Sequence, residues 1–248
     1  MSTSTMPAAP QSIDLTSLRQ RAATHLAHPL ARTLLILTFT TGLIDAASYL
    51  GLGHVFTANM TGNIVLLGFG IAGAGGLPVV APLVSLAAFL IGAGVGGVIS
   101  KRLADRHPNH IAAALAIEVA MLGVATIVAA AVNVRPATVA GDIIVALLAF
   151  AMGVRNATVR RIAVPDLTTT VLTMTLTGLA ADSPLAGGDG RGSTRRIGAV
   201  TAMLIGAIAG ALLLKASLAL PLLAATALAL TTWLVYVPAA RRFAHESS

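Results

Sequence analysis

Gly42-Leu43-Ile44-Asp45-Ala46 lies inside an apolar stretch, Leu34 to Gly53, and it returns in altered form as Gly153-Val154-Arg155-Asn156-Ala157, an offset of 111 residues. A second echo follows in the same order. Leu90-Ile91-Gly92-Ala93, continued by Gly96 and Lys101, returns as Leu204-Ile205-Gly206-Ala207, continued by Gly210 and Lys215, an offset of 114 residues. In so apolar a chain either match alone is weak, but two in one order at nearly equal offsets mark two related halves, about 33–137 and 138–238. Residues 1–32, rich in Ser, Thr, Ala and Pro, read as a disordered tail, and 239–248 as a short second tail.

The composition says what surrounds these halves. Of 248 residues 56% are hydrophobic and 10% charged, and the mean hydropathy is +0.87. Soluble domains carry about 25% charged residues, so the apolar surplus has to face lipid. The net charge of +7 would point to nucleic acid in a soluble protein. Here the basic residues sit between apolar stretches, as in membrane proteins whose loops set orientation, and no nucleic-acid partner is expected. The chain has no cysteine, which removes disulfides, thiolate metal sites and a cysteine nucleophile.

A spanning helix needs about 20 apolar residues. Six stretches come near this length: Leu34–Gly53, Val79–Ser100, Ile111–Val132, Thr138–Val154, Ile197–Leu214 and Ser217–Val237. Two more, Val55–Gly76 and the threonine-crowded Asp166–Ala181, are too polar to place by hydropathy. Basic residues favour the cytoplasmic side. If all eight stretches cross, the 16 Lys and Arg fall almost evenly on the two sides; if the polar pair enter and leave on one side, only Arg135 and Lys215 fall outside. The expected fold is therefore an all-α polytopic bundle of two inverted halves, three spans each, each half carrying an interrupted, re-entrant polar segment. Both termini would be cytoplasmic.

Two long motifs resemble those of the YoaK family, small bacterial multi-pass membrane proteins grouped as a domain of unknown function. One is the run from Thr41 to Asn63, which holds Gly42-Leu43-Ile44-Asp45-Ala46, His54-Val55-Phe56-Thr57 and Asn59-Met60-Thr61-Gly62-Asn63. The other is Val164-Pro165-Asp166-Leu167-Thr168-Thr169-Thr170-Val171-Leu172-Thr173, continuing to Gly178 and Asp182. The resemblance covers about 34–238. It implies a bacterial inner membrane and no particular substrate.

Within the spans, polar residues are the candidates for function. Asp45 falls mid-span, where a charge costs about 2.5–3.5 kcal/mol on insertion scales and so needs a partner or a purpose. It could hold an ion or a proton, or be a protonated group bonded to a neighbouring helix. Its repeat mate is Asn156, and the two could meet on a central axis. Asn59, Thr61 and Asn63 precede an apolar half-helix whose first amides would favour an anion or carboxylate. Their counterparts are Asp166, Thr170, Thr173 and Thr177, the three threonines sharing a helix face. The plainer reading gives such hydroxyls to carbonyls of their own helix, and Asp166 to a helix cap. Glu118 in the third span could pair with a basic side chain or line a water path. His54 and Asp142 read as interfacial. Gly92 with Gly96, and Gly206 with Gly210, have the spacing of close helix packing.

No nucleotide-binding, nucleophile-elbow or zinc motif occurs, so no cofactor, no metal and no catalytic residue is expected. The leading expectation is a small passive or ion-coupled permease of an unidentified solute or ion in the lipid bilayer, with homo-oligomerisation left open. The alternatives are a non-catalytic scaffold or accessory subunit and, further off, an intramembrane lipid-modifying enzyme using Asp45, His54, Glu118 and Asp142.

Overall fold

The computed structural model describes residues 29–103, 107–162 and 172–246. Every regular element among them is helical. The helices are α1 Pro29–Gly51, α2 Met60–Ile71, α3 Val80–Arg102, α4 His107–Ala131, α5 Val139–Ile162, α6 Leu172–Ala181, α7 Ser193–Leu214 and α8 Ala219–Glu246. Six are long and apolar enough to cross a membrane. At 1.5 Å per residue, α2 with 12 residues and α6 with 10 reach about 18 and 15 Å, well short of a hydrocarbon core of about 30 Å.

The structure lengthens several elements relative to the sequence reading, α1 starting already at Pro29, and two of them by more than two turns. Helix α5 does not stop at Val154 but continues two turns to Ile162, which puts Arg155 inside the helix rather than in a loop and removes it from the count of surface charges. Helix α8 runs through Pro238 to Glu246, so most of the stretch taken for a C-terminal tail is helical. The extra turns of α8 carry polar residues, and an apolar scan cannot see them.

The two halves pack as equivalents. The α3–α5 contact is matched by α7–α1, α4–α5 by α8–α1, and α2–α3 by α6–α7, while α4 packs on α8. Burial follows the same pairing: the most apolar window of α1 is 61% buried and that of α5 56%, against 22% and 17% for α3 and α7 and 28% for both α4 and α8. Thus α1 and α5 form the centre, and a core of Leu43, Ile44, Leu122, Leu148, Met152 and Leu222 fills the space around them.

Small residues set the closest approaches, and they do so twice. A Cβ at Gly92 would collide with the Phe150 carbonyl, and one at Gly206 with the Phe39 carbonyl. One turn later a Cβ at Gly96 would stand 2.8 Å from the Val154 oxygen, and one at Gly210 2.8 Å from the Leu43 oxygen. Gly153 abuts Phe89 as Gly42 abuts Met203. The atoms in contact are separated by the same offsets as the sequence echoes. We expect Gly92→Ala and Gly206→Ala each to cost about 1–3 kcal/mol by overpacking. Gly94 and Gly97 of the same α3 face open space. There alanine should be neutral or stabilise by up to about 1 kcal/mol, since glycine is the poorer helix former. Unfolding free energies in detergent compare the two sets, and equal costs would show that α3 is not held by this seam.

Helix direction follows from which termini meet. Gly53, His54, Gly76, Pro78–Ala81, Pro136, Ala137 and Asp142 line one recess, which brings the C-terminal end of α1 and the N-terminal ends of α3 and α5 together. Gly51 lies against Leu214 and Leu218 at the α7–α8 turn. At the opposite end the Trp233 indole N–H of α8 donates to the Ala112 carbonyl of α4 at 3.0 Å. Consecutive long helices therefore alternate in direction, and α1 and α5 run opposite ways.

Candidate functional site

After α1 the chain turns back on itself. The His54 amide donates to the Tyr49 carbonyl at 2.9 Å, with Gly53 at φ 97° and His54 at φ 59°. This is the helix-ending bond in which a left-handed residue, glycine by preference, closes the last turn. The chain then descends without regular structure through Val55–Ala58, which are mostly buried, and α2 climbs back to the end it left. Non-helical backbone at that depth has to be satisfied by protein, and the polar motif does this. The Thr57 and Ala58 amides donate to Asp45 Oδ1 at 3.1 and 3.0 Å. Asn63, fully buried on α2, accepts from the Phe56 amide at 2.9 Å and donates to the Phe56 carbonyl at 2.7 Å and to Ser85 Oγ at 3.0 Å. Asn59 caps α2 by accepting from the Gly62 amide at 3.2 Å.

One atom of this assembly is left over. Asp45 is 6% exposed, and its Oδ2 is buried without a hydrogen-bond partner among the described residues. Asp45 lines a cavity of about 110 Å³ with Thr41, Ala58, Asn59, Leu172, Thr173 and Met203. Ala58, Asn59 and Thr173 also border a groove of about 580 Å³ that adds Thr61, Val65 and Phe89. The N-terminal ends of α2 and α6 thus meet at one polar pocket, reached from opposite ends of the bundle. The last turn of α6 is tied to its own end, where Arg196 donates to the Gly178 carbonyl at 2.6 Å and pairs with Asp182 at 2.8 Å.

Behind the cavity lies a buried ion pair. Arg155 of α5 and Glu118 of α4 are 2% and 1% exposed and meet side by side. Nε donates to Glu118 Oε2 at 2.8 Å, and Nη2 bonds Glu118 Oε1. Nη1 donates to the Leu37 carbonyl and to Thr41 Oγ1, both at 2.8 Å, and Nη2 donates to Thr40 Oγ1 at 3.0 Å. A guanidinium has five N–H donors, and all five are engaged. Thr41 belongs to both systems, so one hydroxyl separates the ion pair from the Asp45 cavity.

The structure therefore sorts the sequence candidates. It brings Asp45, Asn59 and Thr173 to one cavity and places Thr61 on the adjoining groove. Asn63 is consumed in holding the loop. Glu118 takes the pairing role foreseen for it. Thr177 is exposed, and its hydroxyl donates to the Thr173 carbonyl at 2.9 Å, the plainer of its two readings. Asn156 is half-buried on α5 and is not among the residues that line the Asp45 cavity, so the pair do not meet there. Asp166 and Thr170 lie outside the described residues. Among the described residues no cluster of three His, Cys, Asp or Glu could hold a metal ion.

Sequence reasoning missed Arg155, Thr40 and Thr41. A signal for Arg155 was available. Adding the repeat offset to Gly51, where α1 ends, gives Ile162, where α5 ends, so the repeat itself predicts that Arg155 is intrahelical.

Comparison with known proteins agrees with this architecture. Residues 33–235 match the model of a family described as protein of unknown function (DUF1275). The chain is 35% identical over 148 residues to the UPF0700 transmembrane protein YoaK of Bacillus subtilis (strain 168), a match covering 59% of this chain and 64% of that protein. The matched region thus spans somewhat less than two thirds of that relative's length. No solved structure matches the chain.

Proposed function

Because the chain belongs to the DUF1275 family of proteins of unknown function, we propose its role from the site itself: a small permease for a polar solute with an anionic group such as a carboxylate. The observation that carries this reading is the cavity where Asp45 stands between the N-terminal ends of two half-helices. Half-helix termini that meet near mid-membrane between repeated halves are how several transporter folds build a substrate site. Helix N-termini favour negative groups, and α2 and α6 point two of them at one place. The loop amides bonded to Asp45 and the α2 amide bonded to Asn59 hold the site in place, while Thr61 and Thr173 supply hydroxyls.

In this reading the six long helices cross a bacterial inner membrane with both termini cytoplasmic, and α2 and α6 re-enter from opposite sides. The halves are then inverted. No ATP-binding motif accompanies them, so movement is passive or coupled to an ion gradient, and no catalytic reaction is assigned. Oligomerisation would be by homotypic packing in the bilayer. The scaffold reading draws on a different observation, that Asn63 and Glu118 are wholly engaged in structure.

The test uses the natural absence of cysteine. Purified protein is reconstituted in vesicles, and swelling is followed in iso-osmotic formate, acetate or lactate, with glycerol as the neutral control. We expect faster swelling in a carboxylate than in protein-free vesicles. Thr61→Cys, at an exposed position on the groove, should lose most of that rate on reaction with a bulky thiosulfonate. Swelling with no carboxylate, together with stable co-purification of a partner, would favour the scaffold.

A further inference from the structure

Among the described residues the charges buried at the centre do not balance. Arg155 is neutralised by Glu118 with which it shares two hydrogen bonds, and Asp45 adds one more carboxylate on the next helix. Asp45 Oδ1 accepts from two loop amides, so the oxygen still free to change state is Oδ2, which has no partner among the described residues. An uncompensated carboxylate in a low-dielectric interior is costly and is relieved by taking up a proton.

We propose that Asp45 Oδ2 is a reversible proton-binding site and that its loading switches the cavity between rejecting and accepting an anion. The proton adds to Oδ2 from water that reaches the cavity through the groove bordered by Asn59 and Thr173, and it returns the same way. No covalent bond to carbon changes. With the proton bound, the two half-helix termini face a neutral carboxyl, and a small anion can approach; with the proton gone, the carboxylate repels it. Proton and anion therefore bind together and would move together. Only this coupling role rests on the permease reading; the proton site stands without it.

The surroundings favour a proton over a metal cation. Thr41 Oγ1 already receives an Arg155 N–H and donates to the Leu37 carbonyl at 2.9 Å. Asn59 Oδ1 is engaged with Gly62. Among the described residues few side-chain oxygens are left for a bare ion. Among charged groups near Asp45, α5 contributes Arg155, whose Nη1 donates to the Thr41 hydroxyl on the cavity wall, with Glu118 of α4 beyond. Helix α7 contributes Met203, α6 contributes Leu172 and Thr173, and the loop contributes Ala58 and Asn59; none of these titrates.

Difference infrared spectroscopy of the reconstituted full chain tests this between alkaline and acid pH. The wild type should gain a protonated-carboxyl C=O band on acidification that Asp45→Asn lacks. In Asp45→Glu the band should persist at a shifted frequency, which also guards against a fold defect in the amide variant. Asparagine stands at the repeat-equivalent position 156, so the amide fits this backbone. Identical difference spectra for wild type and Asp45→Asn, or a wild-type band that follows sodium at fixed pH instead of protons, would overturn the site. A titrating Asp45 without carboxylate-driven swelling would leave the proton site intact and remove the permease. Swelling that is the same at all pH values and in Asp45→Asn would remove the coupling role and leave the permease.

Discussion

Arg155→Met should destabilise the protein by about 3–5 kcal/mol, because it strands the Glu118 carboxylate in a dry interior. The size of the effect comes from the geometry. Glu118 is 1% exposed and its two oxygens bond only to Arg155 among the described residues, so among these no second cation is at hand to replace the guanidinium. Glu118→Leu should cost about as much for the mirrored reason, since Arg155 would keep its bonds to Leu37, Thr40 and Thr41 but not its counter-charge. The double variant Arg155→Met, Glu118→Leu should recover most of the loss, because a well-packed apolar pair can equal or exceed a buried ion pair in stability. Denaturant titration of helicity in mixed micelles measures all three. Additive losses in the double variant would mean that the two residues act independently.

Asp45→Ala should cost about 2–5 kcal/mol, whereas Asp45→Asn should lie within about 1 kcal/mol of wild type. Alanine leaves the Thr57 and Ala58 amides buried without an acceptor, and each such donor costs about 1–3 kcal/mol. Asparagine keeps an oxygen where Oδ1 stands and places its amide nitrogen toward the cavity. The same titration, combined with protease sensitivity of the loop between α1 and α2, separates them. Equal losses for both variants would show that the charge of Asp45, rather than its acceptor oxygen, holds the loop. If instead the acceptor matters as expected, Asp45→Asn becomes the clean variant for asking what the second oxygen does.

The sequence by itself determined the membrane class, the six long spans, the two halves and the identity of Asp45 as the residue to explain. These follow from local properties: apolar run length, the spacing of small residues, and a repeat offset that survives divergence. It also named Asn59 and Thr173, which the structure places on the Asp45 cavity, because polar residues are expensive at membrane depth wherever they fall. Only the tertiary structure decided which polar groups are spent. Asn63 and one oxygen of Asp45 hold the descending loop, Glu118 is matched to Arg155, and Thr177 turns back on its own helix. Those assignments depend on which atoms of α1, α4, α5 and α6 come within hydrogen-bonding distance, and a hydrogen bond between residues 37 or 118 positions apart leaves no trace in local pattern. Arg155 shows both sides of this. Its place in the helix was encoded in the repeat, but its five hydrogen bonds were fixed only when the glycine seams brought the central helices together.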